Sequence, residues 1–302
     1  MSSPLILAFP ACLVQAGRLA VETGYGMSPV AIHSFPDKES LVCLPPELPE
    51  HVIFFCSLDH PNEKLVELGF AAATARELGA KQLSLVAPYL CYMRQDKAFQ
   101  EGQAISQRIV GNWLGGWFDN IITVDAHLHR IHSLSDVIGP AGTFNLSTAQ
   151  LWVKLLRQRN DQPILMGPDR ESLQWVQKIA KATDLDYAVA HKQRLGDRTV
   201  QIKLPEMSVT DRTVILVDDV VSSGQTLAVI AVLLKEAGAT HIECLVTHAL
   251  FMNSAEQLLN DSGIKQIISS DSIPHSSNGV YLASLLAKTL TRDIGDYSSP
   301  GE

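Results

Sequence analysis

The stretch that decides the fold is residues 214–226, which read VILVDDVVSSGQT. Its first four residues are apolar and mostly β-branched, which predicts a buried strand of a parallel sheet. An acid pair, Asp218 and Asp219, follows at once, and a short loop then leads into a helical pattern. We therefore predict a strand that delivers two carboxylates at its C-terminal end, followed by a loop and the start of a helix.

This order of strand, acid pair, loop and helix suits a sugar phosphate. Backbone N–H groups at a helix N-terminus bind phosphate, and small residues let the anion approach closely. Ser222, Ser223 and Thr226 add hydroxyl donors, while carboxylates accept hydrogen bonds from sugar hydroxyls. The alternative is an ordinary strand-turn-helix unit with N-capping serines, which two adjacent acids at a strand end disfavour.

Short apolar runs alternate with helical segments along the rest of the chain. Residues 121–124, IITV, form another β-branched run that ends at an acid, Asp125. Pro61-Asn62 precedes one helical segment, and Gly79 follows its last turn; another begins after Ser222-Ser223-Gly224 and ends before Gly238. Strands that alternate with helices predict an α/β fold with a parallel sheet.

The length of 302 residues suggests about two domains. The sequence at 77–80, ELGA, is echoed at 236–239, EAGA, and a strand-like run follows each. This echo has two interpretations, an internal duplication or two helices that independently end at a glycine. We place the boundary at residues 139–142, GPAG, so that the predicted domains are 1–142 and 143–302.

Composition excludes several classes of protein. Acidic residues outnumber basic ones by 32 to 24, which argues against a nucleic-acid partner. The apolar runs are shorter than the ~20 residues that cross a membrane, and the N-terminus lacks the basic start of a signal peptide. Five scattered cysteines without a CxxC pair are typical of reduced thiols in a cytoplasmic protein.

Other patterns give little support to rival chemistry. The chain has no GxxxxGK[ST] loop, and Gly24-Tyr25-Gly26 lacks the third glycine of a dinucleotide-binding fingerprint. His127 and His129 share a face if the segment is a strand, which alone suggests zinc. No cysteine or HExxH partner accompanies them, so zinc is disfavoured.

Residues 214–226 resemble the phosphoribosyl-diphosphate signature that type I phosphoribosyltransferases share with ribose-phosphate pyrophosphokinases. Further segments are similar to motifs of the pyrophosphokinases and follow their order: 35–39 (FPDKE), 57–68 (SLDHPNEKLVEL), 88–97 (PYLCYMRQDK), 124–127 (VDAH), 167–169 (GPD) and 270–274 (SDSIP). The resemblance covers nearly the whole chain, which is identified as a member of the ribose-phosphate pyrophosphokinase family.

The resemblance implies two phosphoribosyltransferase-like α/β domains, each with a mainly parallel sheet flanked by helices, and a C-terminal helix that packs on the first. It implies a transferase that moves the diphosphoryl group of ATP to ribose 5-phosphate, giving phosphoribosyl diphosphate and AMP. It also implies Mg²⁺ as cofactor and a homo-oligomer, with no nucleic-acid or membrane partner.

The resemblance assigns roles to individual residues. The residues assigned to ATP binding are Phe35, Asp37, Glu39, Arg94 and Gln95. The arginine fork matches phosphate geometry, and the glutamine amide matches a nucleotide edge. The residues assigned to metal binding are His127 and Asp169. Catalysis falls to Lys192 and Arg194, at the start of a loop that we expect to be mobile without substrates or to form an edge hairpin. Ribose 5-phosphate falls to Arg194, Asp218, Asp219, Ser222, Ser223, Gly224, Gln225 and Thr226.

Without the resemblance, Arg94 is more simply interpreted as part of a surface salt bridge, and Lys192 and Arg194 as two solvated charges in a loop. Lys38 also departs from the family, which usually has glycine at that position of the nucleotide loop. Two alternatives remain for the function. One is a type I phosphoribosyltransferase, and the other is a non-catalytic paralogue that regulates an active synthase.

Overall fold

The structure is a computed structural model that describes residues 3–128, 133–194, 200–252, 254–292 and 294, with the backbone only at 192–194 and 200–201. The chain divides into two compact units. The first unit comprises Met1–Leu146, Ser272–Pro274 and Leu282–Glu302, and the second comprises Ser147–Asp271 and His275–Tyr281.

The first unit is built on a six-stranded parallel sheet, ordered β2-β1-β5-β6-β7-β8, with β3 and β4 as a separate antiparallel hairpin. Its strands are β1 (Leu5–Ala8), β2 (Gly26–Pro29), β3 (Ala31–Ser34), β4 (Ser40–Cys43), β5 (His51–Phe55), β6 (Gln82–Val86), β7 (Asn120–Val124) and β8 (Gly142–Leu146). The helices before β8 are α1 (Leu13–Thr23), α2 (Pro61–Glu77), α3 (Ser106–Trp117) and α4 (Ser135–Ile138). Because β8 pairs with β7, this unit continues to Leu146, past the predicted boundary at 142.

The second unit repeats this plan. Its parallel sheet is ordered β10-β9-β13-β14-β15-β16, and β11 and β12 form an antiparallel hairpin. Its helices are α5 (Ala149–Leu156), α6 (Leu173–Thr183), α7 (Gln225–Glu236) and α8 (Ala255–Asp261). Its strands are β9 (Ile164–Gly167), β10 (Tyr187–Val189), β11 (His191–Arg194), β12 (Val200–Lys203), β13 (Thr213–Val221), β14 (His241–Ala249), β15 (Gln266–Ser270) and β16 (Asn278–Val280).

The two sheets have the same strand order, and in both units the hairpin follows the second strand. The predicted α/β architecture of two parallel sheets flanked by helices is confirmed. The central strands are buried along their length, as at Val52–Phe55 and Val214–Val217, because helices cover both faces of a parallel sheet. This burial explains why these strands are continuous apolar runs rather than alternating ones.

The last helix, α9 (Ala283–Arg292), belongs to the first unit and packs against α1. Its apolar face buries Leu286 and Leu290, which lie four residues apart and therefore share one side of the helix. This packing is the arrangement that the resemblance implies for the C-terminal helix. Among the described residues, no helix has the length and apolarity to span a membrane.

Strand β13 is longer than its apolar run. The sequence predicts an end at Val217, but the strand continues to Val221 because the nine-residue β14 supplies partners as far as Ala249. Asp218 and Asp219 therefore lie within the strand rather than after it.

Candidate active site

The loop between β13 and α7 is shaped by Gly224. This residue precedes the helix with φ +71°, and α7 begins at Gln225. A Cβ atom at position 224 would lie 3.2 Å from Leu259 Cγ and 3.3 Å from Leu259 Cδ2. The left-handed backbone favours glycine here, and any larger residue would also press on the Leu259 side chain.

The same loop is fixed by the chain that follows β14. The backbone N–H of Phe251 donates to the carbonyl of Val221, and that of Met252 donates to the carbonyl of Ser222, both at 3.0 Å. Ser223 and Gln225 are exposed, while Ser222 and Thr226 are half-buried. The predicted hydroxyl groups are therefore grouped at the N-terminus of a 12-residue helix, where the helix dipole favours an anion.

The acid pair lies beside a third carboxylate. Strand β9 pairs with β13, and Asp169 follows the end of β9. Burial raises the pKa of Asp218 well above its ordinary value, and the charges of Asp219 and Asp169 raise it further. The predicted metal carboxylate is therefore near enough to the predicted sugar carboxylates for its charge to raise the pKa of Asp218.

Hydrogen bonds orient these three acids. Oδ1 of Asp218 accepts from the N–H of Asp219 at 3.0 Å, and Oδ1 of Asp219 accepts from the N–H of Val220 at 2.8 Å. Oδ1 of Asp169 accepts from the N–H of Glu171 at 3.0 Å. Each carboxylate has a second oxygen, which gives the acid pair the chemistry to accept hydrogen bonds from sugar hydroxyls.

The sequence motifs did not include the residues that surround the acid pair. Asp218 and Asp219 line a small pocket together with Thr148, Trp175 and Thr247. The hydroxyls of Thr148 and Thr247 lie 3.0 Å apart and are hydrogen-bonded. These residues are far apart in sequence, and no local pattern marks them.

The predicted nucleotide loop is the turn of the β3–β4 hairpin. The N–H of Phe35 donates to the carbonyl of Glu39 at 2.8 Å, and the N–H of Lys38 donates to the carbonyl of Phe35 at 3.0 Å. Lys38 has φ +76°, so it adopts the left-handed conformation that favours glycine. Oδ1 of Asp37 accepts from the N–H of Glu39 at 3.1 Å and so helps to shape the turn.

Phe35 itself is partly exposed and lies edge-on to the His33 ring, with ring centroids 4.8 Å apart. An accessible aromatic ring of this kind is able to stack on a base.

Arg94 is the last residue of the turn 91–94, and Gln95 follows that turn. Arg94 is exposed. The amide of Gln95 bonds within the chain, because Nε2 donates to the carbonyl of Ala104 and Oε1 accepts from the Ser106 hydroxyl, each at 3.3 Å. The predicted nucleotide contact of Gln95 therefore requires that a ligand replace or share these bonds.

His127 follows β7 in the first unit and is half-buried. The preceding Asp125 is buried with φ +39°, and its N–H donates to the carbonyl of Leu146 at 2.7 Å. These features fix the turn that leads to His127. The described residues contain no group of three or more side chains arranged to hold a metal ion, and His129 and His132 lie outside them.

Lys192 and Arg194 lie two residues apart on β11, opposite Ile202 and Val200 of β12. The backbone of the predicted catalytic segment therefore forms a hairpin. Residues 195–199 lie outside the described residues. The expectation that the segment from Arg194 to Met207 is poorly ordered without substrates stays a prediction.

Comparison with known proteins agrees with this architecture. The family described as N-terminal domain of ribose phosphate pyrophosphokinase matches residues 5–116, and the phosphoribosyl transferase domain family matches residues 145–287. The chain has the fold of a phosphoribosylpyrophosphate synthetase from Mycobacterium smegmatis, with a TM-score of 0.84 and 21% identity over 98% of this chain and 100% of that one.

Two curated relatives are closer in sequence. The ribose-phosphate pyrophosphokinase of Saccharolobus solfataricus is 32% identical over 79% of this chain and 82% of its own length. That of Methanopyrus kandleri is 34% identical over 90% of this chain and 94% of its own length. The predicted resemblance is confirmed, and the chain belongs to the ribose-phosphate pyrophosphokinase family.

Proposed function

We propose that this protein transfers the diphosphoryl group of ATP to the anomeric hydroxyl of ribose 5-phosphate, giving phosphoribosyl diphosphate and AMP. The observation that carries the proposal is the arrangement around α7, where an acid pair and a glycine-shaped helix N-terminus lie close together along the chain. Membership of the pyrophosphokinase family supports the same reaction. The enzyme is then a transferase of the kinase class that acts in nucleotide biosynthesis.

The second unit supplies the sugar-phosphate residues. The N–H groups and hydroxyls of residues 222–226 bind the 5-phosphate, with Arg194 as an additional cation. Asp218 and Asp219 accept hydrogen bonds from the ribose hydroxyls, which offsets the electrostatic penalty of placing two acids side by side. Two acids would repel a phosphate but can bind sugar hydroxyls, so the acid pair indicates a sugar-binding role.

The first unit supplies the nucleotide residues. Phe35 stacks on the adenine, and the carboxylates of Asp37 and Glu39 accept hydrogen bonds from its amino group. Asp37 then accepts this bond in addition to the one from the Glu39 N–H. Arg94 binds the phosphates and Gln95 binds the nucleotide edge. This assignment is supported by the exposure of Phe35 and Arg94 and by the hairpin geometry that Lys38 preserves.

In the reaction the anomeric oxygen attacks the β-phosphorus of ATP. The bond between the β-phosphorus and the oxygen bridging to the α-phosphorus breaks, and AMP leaves with that oxygen. The hydroxyl proton passes to solvent, and we assign no general base. Lys192 and Arg194 are the cations that stabilise the negative charge on the transferring group, and positioning supplies the rest of the rate enhancement.

Mg²⁺ fits the donor chemistry of these residues. Asp169, in the second unit, is a carboxylate whose charge contributes to the raised pKa of Asp218. His127, in the first unit, is the nitrogen donor that the resemblance assigns to the metal. Mg²⁺ needs few protein ligands, because substrate phosphates and water complete its shell. When bound, Mg²⁺ neutralises charge on the ATP phosphates.

The rival functions make different predictions. A phosphoribosyltransferase needs one such domain and gives no role to Arg94 and Gln95, whereas this chain has two sheets of matching topology. A non-catalytic paralogue needs neither Lys192 nor Arg194, both of which are present.

Three further assignments are part of the proposal: a homo-oligomer, a cytoplasmic location and no nucleic-acid partner. The location is supported by the five free cysteines, and the last by the net charge of -8. Sedimentation of the purified protein tests the oligomer.

The reaction is tested by incubating the purified protein with Mg²⁺, ATP and ribose 5-phosphate and separating the nucleotides by chromatography. We expect AMP to appear, with an equal amount of phosphoribosyl diphosphate. ADP in place of AMP would show monophosphoryl transfer and contradict the proposal. No nucleotide product would instead favour the regulatory paralogue.

A further inference from the structure

Gln107 is a buried glutamine that holds the turn containing Arg94. It lies in the first turn of α3 and is fully buried. Its Nε2 donates to the carbonyl of Met93 at 2.9 Å, and its backbone N–H donates to the carbonyl of Gln95 at 3.3 Å. A single residue therefore fixes the main chain on both sides of Arg94.

The other end of the Gln107 amide has no counterpart. In the part of the chain that the structure describes, the buried Gln107 Oε1 has no hydrogen-bond partner. A buried acceptor without a partner destabilises a fold, and an apolar side chain of similar length would avoid that penalty. The Gln107 side chain thus contributes one oriented hydrogen-bond donor to the turn. An apolar side chain would be more favourable at this buried position if packing were its only role.

The turn itself depends on such support. Tyr92 has φ +61°, a conformation that bulky residues adopt only when their surroundings impose it. The neighbouring Met93 is buried, whereas Arg94 is exposed. An exposed arginine has many rotamers, so the position of its backbone decides where its guanidinium group can reach.

We propose that Gln107 is a positioning residue for the nucleotide, acting through the backbone of Arg94 and Gln95. This inference rests on the proposed function, in which those two residues bind ATP. Without the donor of Gln107, the turn samples other backbone conformations. ATP then binds only the fraction of molecules in which Arg94 and Gln95 have the binding conformation. ATP affinity then falls, while the sugar-phosphate residues of the second unit are unaffected.

The test compares Gln107→Met with wild type and with Gln15→Met. Methionine keeps the length and burial of glutamine but has no donor. Gln15 is a second buried glutamine of the first unit, in α1, and it serves as the matched control. We would measure kcat and KM for each substrate, ATP binding by calorimetry, and thermal stability.

For Gln107→Met we expect KM for ATP and the Kd for ATP to rise about threefold to tenfold, the effect of one net hydrogen bond. We expect kcat, KM for ribose 5-phosphate and the melting temperature to stay near wild-type values. Gln15→Met should leave both KM values unchanged. If Gln107→Met does not fold, Gln107→Leu, which also lacks the donor to the Met93 carbonyl, should raise KM for ATP in the same direction.

An unchanged KM for ATP in an active Gln107→Met enzyme would overturn the inference, as would an equal loss in every kinetic parameter together with a lower melting temperature. An inactive wild type would instead contradict the proposed function, so the two failures are distinguishable.

Discussion

Gly79 and Gly238 adopt the same backbone conformation at the ends of equivalent helices, with φ +92° and φ +91°. Each is followed by an alanine whose N–H donates at 3.0 Å to a carbonyl five residues back, from Ala80 to Ala75 and from Ala239 to Leu234. Both helices therefore end in the same glycine-dependent motif, one in each unit.

Substitution of these two glycines by alanine should lower the free energy of unfolding by different amounts. Gly79→Ala meets no atom within 4 Å, so its cost is the left-handed strain alone, about 1 kcal/mol. Gly238→Ala adds a contact of 3.3 Å with Thr210 Cγ2 and should destabilise more. Urea unfolding followed by circular dichroism measures both.

Gly17→Ala is the control for this pair. Gly17 lies inside α1, where an added Cβ atom would meet nothing within 4 Å and the backbone is not left-handed. We expect it to gain up to about 1 kcal/mol from helix propensity. Equal losses for Gly79→Ala and Gly238→Ala would contradict the role of the Thr210 contact.

Lys38→Gly should stabilise the nucleotide hairpin without loss of ATP use. Lys38 has φ +76°, which costs about 1 kcal/mol for a residue with a Cβ atom. Glycine removes that strain, although its freedom in the unfolded chain offsets part of the gain. Thermal unfolding together with KM for ATP tests this. A clear loss of stability would show that the Lys38 side chain, rather than the backbone, supports the turn.

Thr226→Val should raise KM for ribose 5-phosphate, because the helix N-terminus loses a hydroxyl donor for phosphate. The expected effect is about threefold to tenfold, with KM for ATP unchanged. Thr183→Val is the matched control, since the Thr183 hydroxyl bonds to the carbonyl of Ile179 within α6. Equal kinetics in the two variants would place the phosphate site elsewhere.

Lys192→Ala should lower kcat far more than it weakens ATP binding. A cation near a transferring group is worth most in the transition state, and similar cations contribute about 10³-fold or more. That loss is about 4 kcal/mol in activation free energy. Steady-state kinetics and a separate measurement of ATP affinity test the assignment. A near-normal kcat would make Lys192 an ordinary surface charge.

His51 should make the protein less stable in mild acid. Burial lowers the pKa of His51 from 6.5, although the charge of Asp119 partly opposes this, and Nε2 lies 2.9 Å from the Ser84 hydroxyl. Because the folded pKa is depressed, protonation favours unfolding. The stability from neutral His51 is therefore present above the unfolded pKa and is lost as pH falls toward the folded value.

The measurement is the melting temperature between about pH 8 and about pH 5 for wild type and His51→Gln. Glutamine cannot be protonated in this range, so the variant should lose less stability than wild type. Parallel pH profiles would show that His51 makes no such contribution.

The sequence predicted the parts of this fold that depend on local signals. Two such signals are the apolar run 214–217 and the helix ends at Gly79 and Gly238. They are predictable from sequence because burial and backbone conformation constrain the residue types directly. The end of β13 was not readable, since the length of β14 decides how far the strand continues. The left-handed conformation of Lys38 was indicated only by the glycine that the family usually has at this position, because a lysine by itself does not favour it.

The candidate site divides in the same way. Its acid pair and loop lie close together along the chain, so their grouping needs no tertiary information. By contrast, Thr148 and Thr247 come together only when their elements pack. The internal bonds of the Gln95 amide and the support from Gln107 also depend on where α3 lies, and no spacing in the sequence indicates them.

The most direct test of the account follows the β-phosphate of ATP. Purified enzyme with Mg²⁺ and ribose 5-phosphate would be given ATP labelled with ³²P at the β-position, and the sugar and nucleotide products would be separated. Diphosphoryl transfer predicts the label in phosphoribosyl diphosphate and unlabelled AMP. Label retained in a nucleotide product, as ADP, would contradict the account.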